Sequence, residues 1–452
     1  AYNFSDEEIE DLLEKRLELD RRIAGVVLSN EESSEYAKLY HPYSYEDFKK
    51  FAPALPLDDF FQAVIGQTPD KIIVDEERFW QAAEQFYSEE AWPLLKASLI
   101  LSVVNLSTSY LTDEIRILSG AYGRALSGVP EAQDKRKAAY HLAQGPFKQA
   151  LGLWYAHEKF SPEAKADVEK KVATMIDVYK ERLAKNDWLT PETREKAIVK
   201  LNVIKPYIGY PEELPDRYKD KVVDESASLF ENALAFARVE IKHSWSKWNQ
   251  PVDYKEWGMP AHMVNAYYNP QKNLIIFPAA ILQAPFYDLH QSSSANYGGI
   301  GAVIAHEISH AFDTNGASFD ENGSLKDWWT ESDYVAFKEK TQKVIDQFDG
   351  QESYGAKING KLTVSENVAD LGGIAAALEA AKREPDFSAE EFFHNFARIW
   401  RMKGRPELMK LMASVDVHAP AKLRVNVQVP NFDDFFTTYD VKEGDGMWRS
   451  PE

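Results

Sequence analysis

His306, Glu307 and His310 stand in the run Gly301-Ala-Val-Ile-Ala-His-Glu-Ile-Ser-His-Ala-Phe-Asp313. Ile300, Val303, Ile304, Ile308 and Phe312 give this segment the apolar body of a buried helix. Residues four apart in a helix lie little more than one turn apart, so both imidazoles leave one face and can bind one ion. Two unpartnered imidazoles would be costly to place in such a body, so the fold must bring something to meet them. Neutral imidazole suits Zn²⁺, and a site with three protein ligands keeps a position for water, whose pKa the metal lowers to about 7. Glu307 would stand beside that water as a general base. The pattern points to metal-assisted hydrolysis with one zinc ion per chain.

A third ligand is available in Leu362-Thr-Val-Ser-Glu366-Asn-Val-Ala-Asp370-Leu-Gly-Gly373. Ser365 reads as a helix N-cap, with Glu366 and Asp370 on one helical face. Glu366 could ligate the ion while Asp370 accepts the free ring N–H of a ligating histidine, and Asp313 could do the same for the other. The alternative for both carboxylates is an exposed acidic helix start, favoured by the helix dipole. In Asp416-Val-His418-Ala-Pro-Ala-Lys-Leu-Arg424, His418 could donate to an oxyanion and Arg424 to a substrate carbonyl. A surface histidine in a Pro-containing loop is the plainer alternative. Val264–Tyr268 and Leu274–Pro278 read as two strands joined by a turn. The edge strand could pair with an extended substrate, with Asn265 adding hydrogen bonds, or the pair is simply a hairpin.

Taken in order, Asn265-Ala-Tyr-Tyr, Phe277-Pro-Ala-Ala-Ile-Leu-Gln283, Asn296-Tyr-Gly-Gly-Ile-Gly301, the His306 motif, Asp327-Trp-Trp329, Glu366-Asn-x-Ala-Asp370 and Asp416-x-His-x-Pro-x-x-x-Arg424 resemble the neprilysin family of zinc endopeptidases. The cysteine-free form is similar to that family's bacterial oligopeptidase O branch. The resemblance implies His306, His310 and Glu366 as zinc ligands and Glu307 as general base. It implies Asp370 and Asp313 behind the histidines, and His418 as transition-state stabiliser with Asp416 behind it. Asn265, Ala266 and Arg424 would hold substrate backbone. Ile281, Phe286, Ala302, Val303, Ile399 and Trp400 would line the pocket for the residue after the scissile bond, so cleavage on the amino side of hydrophobic residues is expected. Ordinary core is the alternative for these six. Family members are longer, and the chain is expected to lack their N-terminal part and extreme C-terminal tail.

The helical pattern up to Ser161-Pro162 and the mixed pattern beyond it suggest a helical substrate-chamber domain at 1–165 and a thermolysin-like zinc domain at 166–452. The fold class expected is mainly α with a small β component, the helical domain enclosing the active site. Helix starts are expected at Ser5, Ser44, Ser161, Thr190, Thr330, Ser365 and Ser388, the last with Glu391 at the capping-box position, and near Gly299. Arg424-Val-Asn-Val-Gln-Val429 alternates as a strand.

A net charge of -20 argues against a nucleic-acid partner, and no long apolar run predicts a membrane span. The absence of cysteine excludes thiolate metal sites and disulfides. A cytoplasmic location is the expectation, with export left open by a start that looks trimmed; oligomeric state is not legible. Gly299-Ile-Gly301 begins like a dinucleotide fingerprint, but close helix packing explains it better. Asp320-Glu-Asn-Gly-Ser324 reads as a turn, not a calcium loop. Against a zinc endopeptidase acting on peptides stand two rivals: a zinc exopeptidase, and a non-catalytic peptide-binding or adhesion fragment that retains the zinc fold.

Overall fold

The computed structural model describes residues 3–450. It is mainly α-helical with three small sheets, as expected. Contacts divide it into two units at places other than the expected boundary near 165: the first comprises residues up to Ala125, Val129–Leu142 and Asp216–Pro251, the second Leu126–Gly128, Ala143–Pro215 and everything from Val252 onward. All candidate site residues fall in the second unit.

In the first unit, helix α1 (Asp6–Ala24) opens with a capping box in which Ser5 and Glu8 bond each other's backbone N–H. It packs along α2 (Trp92–Ser107), and Arg16 reaches the hydroxyls of Ser98 and Ser102. Strands β1 (His41–Ser44) and β2 (Lys71–Val74) form an antiparallel pair beside an aromatic core that includes Tyr45, Phe48, Phe61 and Trp80.

The second unit carries α3 (Pro162–Ala184) and α4 (Pro191–Asn202), capped by Ser161 and Thr190 with Pro in the first turn. Next come β3 (Lys205–Gly209), β4 (Tyr267–Asn269) and β5 (Leu274–Pro278). In the order β3-β5-β4, β5 is the buried centre, parallel to β3 and antiparallel to β4, which leaves β4 an edge. The first expected strand therefore starts later, and Asn265 and Ala266 lie ahead of it.

A wide π-helical turn, Tyr297–Gly301, leads into α5 (Ala302–Ser309). Close packing does explain its glycines: a Cβ on Gly298 would lie 2.1 Å from the Phe392 carbonyl oxygen, and one on Gly299 would lie 2.3 Å from that of Phe286. Asp320–Ser324 is a turn, with Gly323 at φ +81°. Farther on, Thr330 caps its helix as expected.

Helix α6 (Val364–Ala381) starts before Ser365, because the turn from Asn359 to Thr363 already directs the chain. Ser388 caps α7 (Ala389–Ile399), but the Glu391 carboxylate is bound by Ser292 rather than closing a capping box. After α8 (Pro406–Val415), the segment expected to be a strand is instead helix α9 (Ala421–Asn426) followed by a 3₁₀ turn at Val429–Asn431. Leu423 and Val427, four apart, enter one core cluster with Val344 and Phe348, and helical spacing satisfies that pair better than alternation. Among the described residues no helix is long and apolar enough to cross a membrane.

Candidate metal centre

All eight residues of α5 are buried. What allows this is α6: a Cβ on Gly373 would lie 2.8 Å from the His306 backbone nitrogen, and one on Gly372 would lie 2.1 Å from Ser309 Oγ. The two helices meet backbone to backbone, with Ala369, Ala376 and Ala377 adding small buried side chains. From the other side, Tyr179 of α3 donates to the Ala305 carbonyl at 2.7 Å.

This approach brings the expected residues together. The Nε2 atoms of His306 and His310 stand 3.0 Å apart, and Glu366 Oε2 lies 3.2 Å from the first and 3.5 Å from the second. One ligand atom from each of the three falls within 4.8 Å of the others, a set able to hold a metal ion. On the far side of each ring stands a carboxylate. Asp370 Oδ1 is 2.8 Å from His306 Nδ1, close but off hydrogen-bond geometry. The His310 Nδ1–H donates to Asp313 Oδ2 at 2.6 Å. Asp313 also accepts from Ser365 Oγ at 2.6 Å and from the N–H groups of Asn315 at 2.8 Å and Gly316 at 2.6 Å. Ser365 thus ties the Glu366 helix to the partner of His310.

Glu307 is 5% exposed, and its carboxylate has no hydrogen bond or ion pair among the described residues. Burial pushes its carboxyl up. Burial opposes charge on His306 and His310 too, yet the neighbouring carboxylates of Asp370, Glu366 and Asp313 raise both, His310 well above the ordinary imidazole range. Glu366 is the mirror case: burial raises it, but the charge of His310 and the close imidazoles of His306 and His418 bring it well below the carboxylate range. Two imidazole lone pairs and a carboxylate oxygen converge on one point, and the point demands positive charge, as protons or as a cation. Two histidines and one carboxylate are a donor set that suits zinc with a position left for water.

His418 Nε2 lies 3.2 Å from Glu366 Oε2, while Asp416 Oδ1 holds its Nδ1 at 2.8 Å and its backbone N–H at 2.9 Å. Burial lowers the imidazole pKa, but Asp416 and Glu366 outweigh it and carry it to about 9. Arg424 is buried and donates from Nε (2.8 Å) and Nη2 (2.6 Å) to the two oxygens of Asp370, its guanidinium 3.8 Å from the centre of the Trp400 ring. Asn265 is exposed, its Oδ1 accepting the N–H of buried Ala266 at 2.9 Å. Of the six apolar residues, Ile281, Ala302 and Val303 are buried, and Phe286, Ile399 and Trp400 are half-buried on the same core. Sequence reasoning overlooked Ser365 as a link, Tyr179, and the glycine pair; only Gly372-Gly373 left a visible signal.

A buried pair of imidazoles and a converging carboxylate form a set able to hold a metal ion, with the buried acid Glu307 in the same helix. Models described as Peptidase family M13 match residues 1–211 and 265–452. The chain belongs to this family of zinc metalloendopeptidases. It is 76% identical over 391 residues to a protein named putative zinc metalloproteinase in scaA 5'region from Streptococcus gordonii, covering 86% of this chain and 69% of that one. It is 48% identical over 449 residues to a neutral endopeptidase of Lactococcus lactis, covering 99% and 72%. Among solved structures, PEPO from Lactobacillus rhamnosis superposes with a TM-score of 0.96 at 37% identity, covering 99% of this chain and 71% of that one. The inhibitor complex of zinc metalloprotease ZMP1 from Mycobacterium tuberculosis gives 0.92 at 29%, covering 100% and 71%.

Proposed function

We propose that this endopeptidase cuts oligopeptides on the amino side of hydrophobic residues, with His306, His310 and Glu366 holding one zinc ion and Glu307 acting as general base. The observation that carries the reading is the convergence of three ligand atoms beside a buried, unpartnered Glu307. Zinc, when bound, supplies the Lewis acidity that makes water a nucleophile near neutral pH. Glu307 takes the proton of the attacking water and passes it to the leaving amine. Asp370 and Asp313 hold the histidine rings. His418, held by Asp416, donates to the developing oxyanion, and Nη1 of Arg424, which has no hydrogen bond among the described residues, is left for a substrate carbonyl. Asn265 and Ala266, just before the edge strand β4, hold substrate backbone. Half-buried Phe286, Ile399 and Trp400, with Ile281, Ala302 and Val303 behind them, favour an apolar side chain after the cut.

The test is hydrolysis of an internally quenched peptide library, with products read by mass spectrometry. Internal cuts before hydrophobic residues, lost in Glu307→Gln while zinc stays bound, are the expected result. Products shortened only from one end would assign an exopeptidase. Zinc binding without any cleavage would assign a binding fragment.

A further inference from the structure

Lys200 on α4 is only 1% exposed, an unusual place for an ammonium group. Its Nζ donates to three backbone carbonyls, those of Ala311 (2.8 Å), Gly316 (2.8 Å) and Phe319 (2.6 Å). The rings of Tyr268, Phe312 and Trp328 surround it at 5.9, 5.7 and 5.6 Å. Burial draws its pKa down to about 7, against the pull of Asp313, Asp320 and Glu321. Three carbonyls require three N–H donors, which only the protonated amine offers; the neutral form would turn a lone pair toward one oxygen.

The acceptors belong to one turn, running from the residue after His310 to Phe319, and Asp313 sits inside it. The turn is tight: a Cβ on Gly316 would lie 1.7 Å from the His310 carbonyl oxygen. Its N–H groups at Asn315 and Gly316 grip Asp313, whose other oxygen meets His310. With its carbonyls gathered on Lys200 and its N–H groups on Asp313, the turn has its backbone satisfied from both sides.

We infer that the buried ammonium of Lys200 is a positioning group for the metal centre, folding the 311–319 turn so that Asp313 fixes the ring of His310. This rests on the zinc reading above. It adds a residue that, among the described residues, makes no hydrogen bond or ion pair with the side chains of His306, His310 or Glu366 and acts through backbone carbonyls.

The chain contains no cysteine, so Lys200→Cys introduces a single thiol. Alkylated in denaturant with 2-bromoethylamine and refolded, it regains an ammonium at the length of lysine. Alkylated with 1-bromopropane, it gains a neutral arm of the same length. Zinc affinity is then measured by competition with a chromophoric chelator, on material whose near-ultraviolet circular dichroism matches the parent. The ammonium form should bind zinc like the parent and the propyl form about 10–100-fold more weakly, the range for losing a group that orients a ligand. Equal zinc affinity in the two forms would overturn the inference, even if the propyl form melts lower. Lys200→Gln, which keeps two N–H donors, covers the case in which the propyl form does not refold: weakened zinc binding supports the role, and unchanged binding refutes it. A parent chain that binds no zinc would instead refute the zinc reading itself.

Discussion

Helices α2 and α5 are equally apolar, yet they end in opposite environments. Every residue of α5 is buried, whereas α2 buries only Ala97 and Ser107 and exposes Leu99, Val103 and Leu106. The difference lies in what faces each helix. Gly372, Gly373 and a series of alanines let α6 approach α5 to backbone distance, while α2 is met on one side by α1. Burial in α5 is also what raises the carboxyl of Glu307, whereas the imidazoles around Glu366 overcome burial and lower it. Apolar content says that a helix can be buried; the small residues on its neighbour decide whether it is.

If burial in α5 serves chemistry, its largest response should be chemical. Glu307→Gln keeps the shape and removes the base, so kcat should fall by about 10²–10⁴. Quenched-peptide hydrolysis checks this, with zinc content confirming a loaded site. A rate above a tenth of the parent's would remove Glu307 from the role of base.

The next effect concerns the ion pair beneath α5. Asp370→Ala leaves Arg424 buried without its partner and should cost about 3–5 kcal/mol in urea unfolding. Burial raises the Asp370 carboxyl, but Arg424 and His306 bring it to about 2, against an ordinary 3.8. A depressed carboxyl pKa gives stability that is present above the unfolded value and lost as pH falls toward the folded one. The gap between parent and variant should therefore hold at pH 5–7 and begin to narrow below about pH 4. A gap that widened on acidification would contradict the pairing.

Gly373→Ala tests the helix contact directly. The added methyl would sit 2.8 Å from the His306 nitrogen, so the helices must part at a cost of about 1–3 kcal/mol. Zinc affinity should weaken as well, because Glu366 rides on the displaced helix. Unchanged melting and unchanged zinc binding would show that the contact is looser than drawn.

The sequence revealed the chemistry more clearly than the packing. That His306 and His310 share a face, and Glu366 and Asp370 another, was legible because residues four apart on a helix lie little more than one turn apart. Most helix starts were legible too, since Ser5, Ser44, Ser161 and Thr190 satisfy backbone donors a few residues away. Residues 424–429 misled because Leu423 and Val427 satisfy a helical period as readily as the valines satisfy a strand period. The unit boundaries were illegible for a related reason: Asp216–Pro251 returns to the first unit through contacts distant in sequence. Lys200 left no mark, being one lysine in a helix that also carries Lys196 on its surface.

The smallest expected effect lies in α2 and bears most directly on the comparison. Leu106 is 70% exposed, so replacing it removes little buried area and opens no cavity. Leu106→Gln should change stability by no more than about 0.5 kcal/mol, as surface substitutions do. Glutamine keeps helix propensity near that of leucine, so the backbone contributes nothing that would mask the result. The measurement is the urea midpoint at a constant m-value, since a changed slope would signal a change in the surface exposed on unfolding. A loss above about 1 kcal/mol would mean that water does not cover this face of α2 in solution. The contrast with α5 would then be one of partner rather than of burial.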